Sequence, residues 1–235
     1  MNDRKERRRR CAEGRVLSVN VGMARDFELN GRPVKSAIWK SPVVGRVAAR
    51  DVNLEGDDQA DWKAHGGPDK AIYAYAVEDV RWWESELRRS LPVGQFGENL
   101  TTEGIDVNGA LVGERWEVGT TLLEVSEPRV PCWRLGVRMD DMSFVRRFTE
   151  ALRPGAYLRI RSEGSVAAGD AIRVVERPDR SLSVRDVLRI YSHDRQEAGR
   201  LLAVPGMSES WKAWAQAQLR RARSAPTPAP EPGCC

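Results

Sequence analysis

The sequence predicts a mainly β fold: a closed or strongly bent antiparallel barrel with packing helices, followed by a small three-helix module. Three observations predict it. Short β-like runs follow one another from residue 15 to residue 175, with turn residues between them. Helical periodicity interrupts those runs only twice. The pattern changes near Pro178, after which three short helix-like segments follow in succession.

The strand runs are 16–21, 35–39, 43–48, 71–76, 115–118, 121–125, 156–160 and 171–175. Turn signals punctuate them at Asn30-Gly31, Gly104, Asn108-Gly109, Gly113, Gly119 and Gly169-Asp170. The first helix, 77–89, places Val80, Trp83 and Leu87 on one face. The second, 141–152, does the same with Val145, Phe148 and Leu152. In the module, Ser183-Val184-Arg185-Asp186 has the form of a capping box and opens a helix through Tyr191. A short helix fits 195–203 and stops at Pro205-Gly206, and a third starts at Ser208 and carries Trp211, Trp214 and Leu219. The expected boundaries are a disordered basic arm at 1–14, the barrel domain at 15–178, the helical module at 179–223 and a disordered Pro-rich tail at 224–235.

Net charge is +4, and much of it lies in Arg4-Lys5-Glu6-Arg7-Arg8-Arg9-Arg10, a solvated arm by composition. Arginines also occur at 220, 221 and 223, but no base-reading motif accompanies them, so nucleic acid is not an expected partner. No apolar run reaches membrane-spanning length, and no apolar segment follows the basic head as an export signal requires. A soluble, cytoplasmic protein is expected, with no membrane partner. Of the four cysteines, Cys11, Cys234 and Cys235 fall in the expected tails, so no disulfide framework is implied.

The remaining thiol, Cys132, lies in Ser126-Glu127-Pro128-Arg129-Val130-Pro131-Cys132-Trp133-Arg134-Leu135. Two prolines stiffen the approach to it. Flanking guanidinium groups favour the thiolate, which is the nucleophilic and metal-binding form. Cys132 is therefore a candidate nucleophile or metal ligand; a small buried hydrophobe is the plainer alternative.

The densest polar run extends from Leu54 to Lys70 and includes Lys63, His65, Gly66, Gly67 and Lys70. A Gly-Gly turn beside such groups suits a phosphate, and Gly-Gly-Pro-Asp is equally good turn chemistry. It lacks the spacing of a P-loop. Phe96-Gly97-Glu98-Asn99-Leu100-Thr101 contains amide and carboxylate groups that either brace a loop or read a heterocycle. His193, between two predicted helices, fits a cap or surface position.

His65-Gly66-Gly67-Pro68-Asp69-Lys70-Ala71, Phe96-Gly97-Glu98-Asn99-Leu100 and Pro128-Arg129-Val130-Pro131-Cys132 occur here in that order. In this they resemble MOSC-domain proteins of the YiiM type, whose domain is similar to the C-terminal domain of molybdenum cofactor sulfurases. The resemblance runs from residue 15 to about residue 223. It includes Leu201-Leu202-Ala203-Val204-Pro205-Gly206-Met207-Ser208 in the module; one departure is Trp39, where relatives often carry Phe. The resemblance implies a β-barrel-like MOSC fold that binds the molybdenum cofactor, a pterin dithiolene carrying a phosphate. Cys132 is then the protein thiolate on molybdenum. His65, Gly66, Gly67 and Lys70 become candidates for the phosphate and its surroundings, with Lys40, Asn99 and Arg129 as further cofactor candidates. The implied activity is reduction of N-hydroxylated compounds, hydroxylamino-purines among them. In that two-electron reaction the N–O bond is cut and the oxygen leaves as water, and His65 or Asp69 would deliver protons.

One expectation needs no resemblance. A common iron–sulfur cluster takes four cysteines and the core has one, and no dinucleotide-binding glycine fingerprint is present. A reductase built on this chain takes its electrons from a separate partner protein. A homodimer is compatible with everything above. The alternative function is a carrier of sulfur or of the molybdenum cofactor, with a persulfide on Cys132.

Overall fold

The computed structural model describes residues 13–29, 31–60, 62 and 66–224. The expected basic arm up to residue 12, the tail from residue 225, Lys63, His65 and the three tail cysteines lie outside the described residues.

Thirteen strands are described. In the first half of the chain they are β1 (Gly14–Val21), β2 (Arg25–Leu29), β3 (Arg32–Ser36), β4 (Ser41–Pro42), β5 (Val47–Arg50), β6 (Asn53–Leu54), β7 (Ile72–Ala76) and β8 (Leu100–Glu103). The second half adds β9 (Arg115–Val118), β10 (Thr121–Pro128), β11 (Ala156–Ser162), β12 (Gly164–Val166) and β13 (Ala171–Glu176). Seven of them close a barrel in the order β1-β8-β7-β11-β10-β9-β13, and β13 returns to β1 at Gly14↔Ile172 and Arg15↔Ala171. Closure removes the open edges that a flat sheet would expose. Alternate residues point inward, so Val16, Ile72, Trp116, Leu123, Leu158 and Ile172 are fully buried. Each such side chain contributes about 1.5–3 kcal/mol of burial.

The barrel is not wholly antiparallel, as the sequence had suggested. β7 and β8 run parallel, with Ala74↔Leu100, Tyr75↔Thr101 and Ala76↔Thr102 in register. A parallel pair needs a crossover. Helix α1 (Val77–Leu87) and the loop after it supply that crossover. The expected strand at 35–39 ends at Ser36, and Ala37–Lys40 peel away from the sheet. Of the expected strand at 43–48 only residues 47 and 48 are strand, at the start of β5, and the short β4 precedes the run.

Helices α2 (Trp133–Met139) and α3 (Phe144–Glu150) join α1 over a second, aromatic core. Trp83 stacks on Phe148 with an interplanar angle of 5°, and Tyr75 stacks on Phe96 with centroids 4.5 Å apart. The buried indole N–H of Trp83 donates to Tyr75 Oη at 2.9 Å, so the polar edge of the cluster is satisfied. Helix α2 was not among the helices read from the sequence.

The module follows as α4 (Val184–Ser192), a 3-10 segment (Arg195–Ala203) and α5 (Glu209–Ser224). Ser183 Oγ accepts from Asp186 N at 3.1 Å, which is the cap expected from the sequence. His193 sits just past the C-terminal end of α4, where its Nδ1 shares a 2.7 Å hydrogen bond with Ser192 Oγ. Val187, Ile190, Leu201 and Trp211 belong to the same buried cluster as the barrel interior. Ser208 Oγ also donates to the buried carboxylate of Glu127 at 2.7 Å, tying the module to the end of β10.

Candidate active site

Strand β10 ends at Pro128, and Arg129-Val130-Pro131-Cys132 carry the chain to α2. Cys132 occupies the N-cap position in an extended conformation, half-buried, and its carbonyl accepts from Leu135 N at 2.9 Å. Two cavities meet at this residue.

The first is a polar cleft of ≈ 680 Å³, counting its solvent-filled mouth. Lys40, Asp57, Lys70, Asn99, Arg129 and Cys132 are among its walls. Lys40 is nearly buried, and its Nζ lies 2.5 and 2.6 Å from the two carboxylate oxygens of Asp57. Burial pushes the Lys40 ammonium below its ordinary lysine value, and the Asp57 carboxylate opposes that shift. Asp57 is fixed in turn by Gly22 N at 2.8 Å and Asn99 Nδ2 at 2.9 Å. Asn99 also accepts from Tyr73 N at 3.0 Å, so one amide joins the loop before β8, strand β7 and the Lys40 pair.

The loop that presents Asn99 is pressed close to the Lys40 segment. A Cβ at Gly94 would lie 2.7 Å from Lys40 O, and one at Gly97 would lie 2.8 Å from Ile38 Cγ1. Both glycines have positive φ, 78° and 73°, which a side chain disfavours. Glu98, fully buried, braces the loop by accepting from Gly94 N at 2.6 Å, Phe96 N at 3.0 Å and Thr101 Oγ1 at 2.9 Å. Burial pushes its carboxyl above the usual value, against these stabilising donors. Arg129, also buried, donates to Phe96 O and lies over the Tyr73 ring at 5.0 Å. Its charge and the Cys132 sulfur attract one another.

The second cavity, ≈ 710 Å³, lies on the module side of Cys132. Tyr191, Trp211 and Trp214 form its aromatic wall, and Glu127 its buried polar floor. Cys132, Lys70, Val130 and Tyr157 line both cavities. Lys70 Nζ lies 3.1 Å from Glu127 Oε1. Burial pushes the Tyr157 hydroxyl up to about 12, so it remains protonated and able to donate at neutral pH.

The family profile described as "MOSC domain" matches residues 61–173, and the profile "YiiM-like, 3-alpha helix domain" matches residues 182–222. The YflK protein of Bacillus subtilis (strain 168) is 34% identical over 84% of this chain and 91% of its own length. The crystal structure of YiiM from Geobacillus stearothermophilus superposes with a TM-score of 0.73, at 31% identity, covering 88% of this chain and 99% of that one. This chain belongs to the MOSC-domain proteins of the YiiM type. A Gibberella moniliformis protein named "Reductase" is 32% identical over 75% of this chain, which spans only 32% of that longer protein.

MOSC domains are associated with the molybdenum cofactor. The donor set of the polar cleft fits such a group. A thiol and guanidinium and ammonium groups line it. A soft sulfur ligand suits a metal already bound by sulfur, and fixed cations suit a phosphate.

Of the sequence-derived site residues, the fold brings Cys132, Lys40, Lys70, Asn99 and Arg129 to this MOSC cleft. His65 lies outside the described residues. Gly66 and Gly67 stand behind the wall, where Gly67 N donates to Gln59 Oε1 at 2.8 Å instead of facing an anion. Asp69 is not brought to the cleft. Its carboxylate is held by Arg159, which also binds Glu124 at 3.0 Å in a charged cluster beside the barrel. Sequence reasoning missed Asp57, Tyr73 and Tyr157. Asp57 stood in the polar run as one of two adjacent aspartates, but no short-range spacing links it to Lys40. The tyrosines lay within strand runs and looked like core.

Proposed function

We propose that this MOSC protein is a molybdenum-cofactor reductase of N-hydroxylated compounds. The observation that carries the reading is the position of Cys132 on a wall common to a cation-lined cleft and an adjoining open pocket. The family assignment and the reductase-named relative support an oxidoreductase at the coarser level. Lys70 and Arg129, with Lys40 and Asn99 behind them, would hold the pterin and its phosphate, and the Cys132 thiolate would complete the metal's ligands. When bound, the cofactor supplies the two-electron redox chemistry.

The remaining work falls to side chains of this chain. Arg129, which interacts electrostatically with Cys132, would favour the thiolate form there. The buried Lys40–Asp57–Asn99 set fixes the cleft wall, so binding requires little rearrangement there. Tyr157 lines both cavities, and its hydroxyl, a weak acid because burial raises it, would serve as a hydrogen-bond donor and not as the proton source. The overall reaction takes two electrons and two protons per N–O bond cut and yields the amine and water. Electrons would come from a separate donor protein. No described helix is long and apolar enough to cross a membrane, and the proposed setting is the cytoplasm. The proposed division of the chain assigns cofactor binding to residues 15–178 and substrate access to residues 179–223.

The test is expression in a host that makes the cofactor, followed by molybdenum analysis and turnover of an N-hydroxylated base with an artificial reductant. Stoichiometric molybdenum and turnover in the wild type, both lost in Cys132→Ala, are expected. Full metal and full turnover in the variant would remove Cys132 from the site. A persulfide on Cys132 without molybdenum would favour the carrier function instead.

A further inference from the structure

Strands β2 and β3 pair with each other and with no other strand among the described residues. One face of this hairpin carries the exposed Asp26, Glu28 and Lys35, and the other carries the half-buried Phe27, Leu29 and Val34. Phe27 makes the aromatic contacts of that second face. Its ring lies 5.0 Å from the Trp39 ring at 77° and 6.1 Å from the Trp133 ring at 45°. Both separations lie within the range of favourable aromatic pairs. Arg25 adds a cation over the same indole, its guanidinium carbon 3.9 Å from the Trp39 ring centroid.

The places of the two indoles in the chain give this contact its meaning. Trp39 immediately precedes Lys40, and Trp133 immediately follows Cys132. Lys40 and Cys132 both line the cofactor cleft, together with Ser36, Ala37 and Ile38 at the end of the hairpin. Phe27 lines no part of it, yet its ring joins the stretch that carries the ammonium to the stretch that carries the thiol. Residues 37–40 belong to no strand, so no ladder of backbone hydrogen bonds holds them against the barrel. The root of the hairpin is tied to the same cleft. Gly22 N donates to Asp57 Oδ1 at 2.8 Å and Ala24 N to Asp58 Oδ2 at 2.9 Å. Asp57, the partner of Lys40, thus also fixes where the hairpin leaves the barrel.

We propose that Phe27 is a positioning residue of the cofactor cleft: its ring holds the Trp39–Lys40 and Cys132–Trp133 segments at a fixed separation, and the hairpin thereby governs how long the cofactor is retained. Phe27 acts only through the two indoles and touches no reacting atom. The retention role rests on the cofactor reading above, whereas the bridge between the two segments does not.

Two measurements on the full chain separate these. In hydrogen exchange of the metal-free protein, Phe27→Ala should speed exchange at residues 25–29, 37–40 and 132–139 together, by at least about threefold, and leave β9 and β13 unchanged. Phe27→Tyr, which keeps the ring, should match the wild type. In protein loaded by a host that makes the cofactor, molybdenum should leave Phe27→Ala during dialysis at least about fivefold faster than the wild type, and Phe27→Tyr should stay within about twofold. Faster exchange confined to residues 25–29, or spread through the barrel strands, overturns the bridge, as does a Phe27→Tyr protein that behaves like Phe27→Ala. Joint loosening of the three segments with unchanged molybdenum release overturns the retention role. Joint loosening in Phe27→Ala, when the wild type takes up no molybdenum, sustains the bridge and overturns the cofactor reading, and the retention role with it.

Discussion

The two cavities that meet at Cys132 are built on opposite principles. The cofactor cleft is walled by charges that the protein has already answered: Lys40 by Asp57, Asp57 by Asn99 and Gly22, Lys70 by Glu127. The module pocket is walled by rings with one buried carboxylate beneath them. The first arrangement is rigid and suits a permanent guest. The second is adaptable stacking surface and suits a guest that must leave. Rigidity in the cleft derives from tight backbone approaches and a buried ion pair, so damage there should register mainly as lost stability and cofactor loading. Damage in the pocket should register mainly as altered selectivity.

The comparison breaks most visibly at Asp57. Asp57→Asn leaves the Lys40 ammonium nearly buried without its countercharge, which costs about 3–5 kcal/mol. Urea denaturation at pH 7 should show that loss. Because burial holds Lys40 below its unfolded value, the unfolded state binds more protons than the folded one. The deficit should therefore shrink as pH rises toward about 10.4. A deficit independent of pH would mean that the pair does not carry the wall.

A smaller effect is expected at Gly97. Gly97→Ala must accept φ of 73° and a Cβ 2.8 Å from Ile38, for a loss of about 1–3 kcal/mol. Thermal melts of the variant should also show reduced cofactor content in the folded fraction, since the loop carries Asn99. On the other side of Cys132, Ser208→Ala removes a hydrogen bond to a buried carboxylate, worth about 1.5–3 kcal/mol at most. Lys70 still pairs with Glu127 there, so the lower end is expected, and cofactor loading should be unchanged. Loss of cofactor in Ser208→Ala would erase the distinction between the regions.

The smallest effect is a pH dependence that both cavities share through Tyr157. Its hydroxyl is raised to about 12, against about 10 unfolded. The folded state therefore holds the proton more tightly. Its contribution is fully present below pH 10 and is lost as pH climbs through 12. Ultraviolet titration should show the Tyr157 ionisation, assigned by a Tyr157→Phe variant, well above pH 10 and coincident with alkaline unfolding.

Much of this architecture was legible in local sequence pattern. Short β-like runs bounded by turn residues located β1, β7, β9, β10, β11 and β13, the capping serine located α4, and Cys132 stood out after its two prolines. What escaped was non-local. The parallel pairing of β7 with β8 depends on where the crossover returns the chain, which no periodicity encodes. Helix α2 follows directly on proline chemistry and spans only seven residues, too short for a periodic signal. The Lys40–Asp57–Asn99 set draws on three segments that meet only after the barrel closes. The tryptophans at 211 and 214 were visible as a helix face, yet their role depends on Tyr191 and Glu127 arriving from elsewhere.

The sulfur of Cys132 is common to both cavities and is the proposed ligand to molybdenum. X-ray absorption at the molybdenum edge of the loaded protein, compared with a Cys132→Ser variant, tests it most directly. The variant should lose one sulfur neighbour of the metal and gain one lighter one, with the dithiolene signal retained. An unchanged sulfur count would contradict the account, because the metal would then sit elsewhere or be held without this side chain.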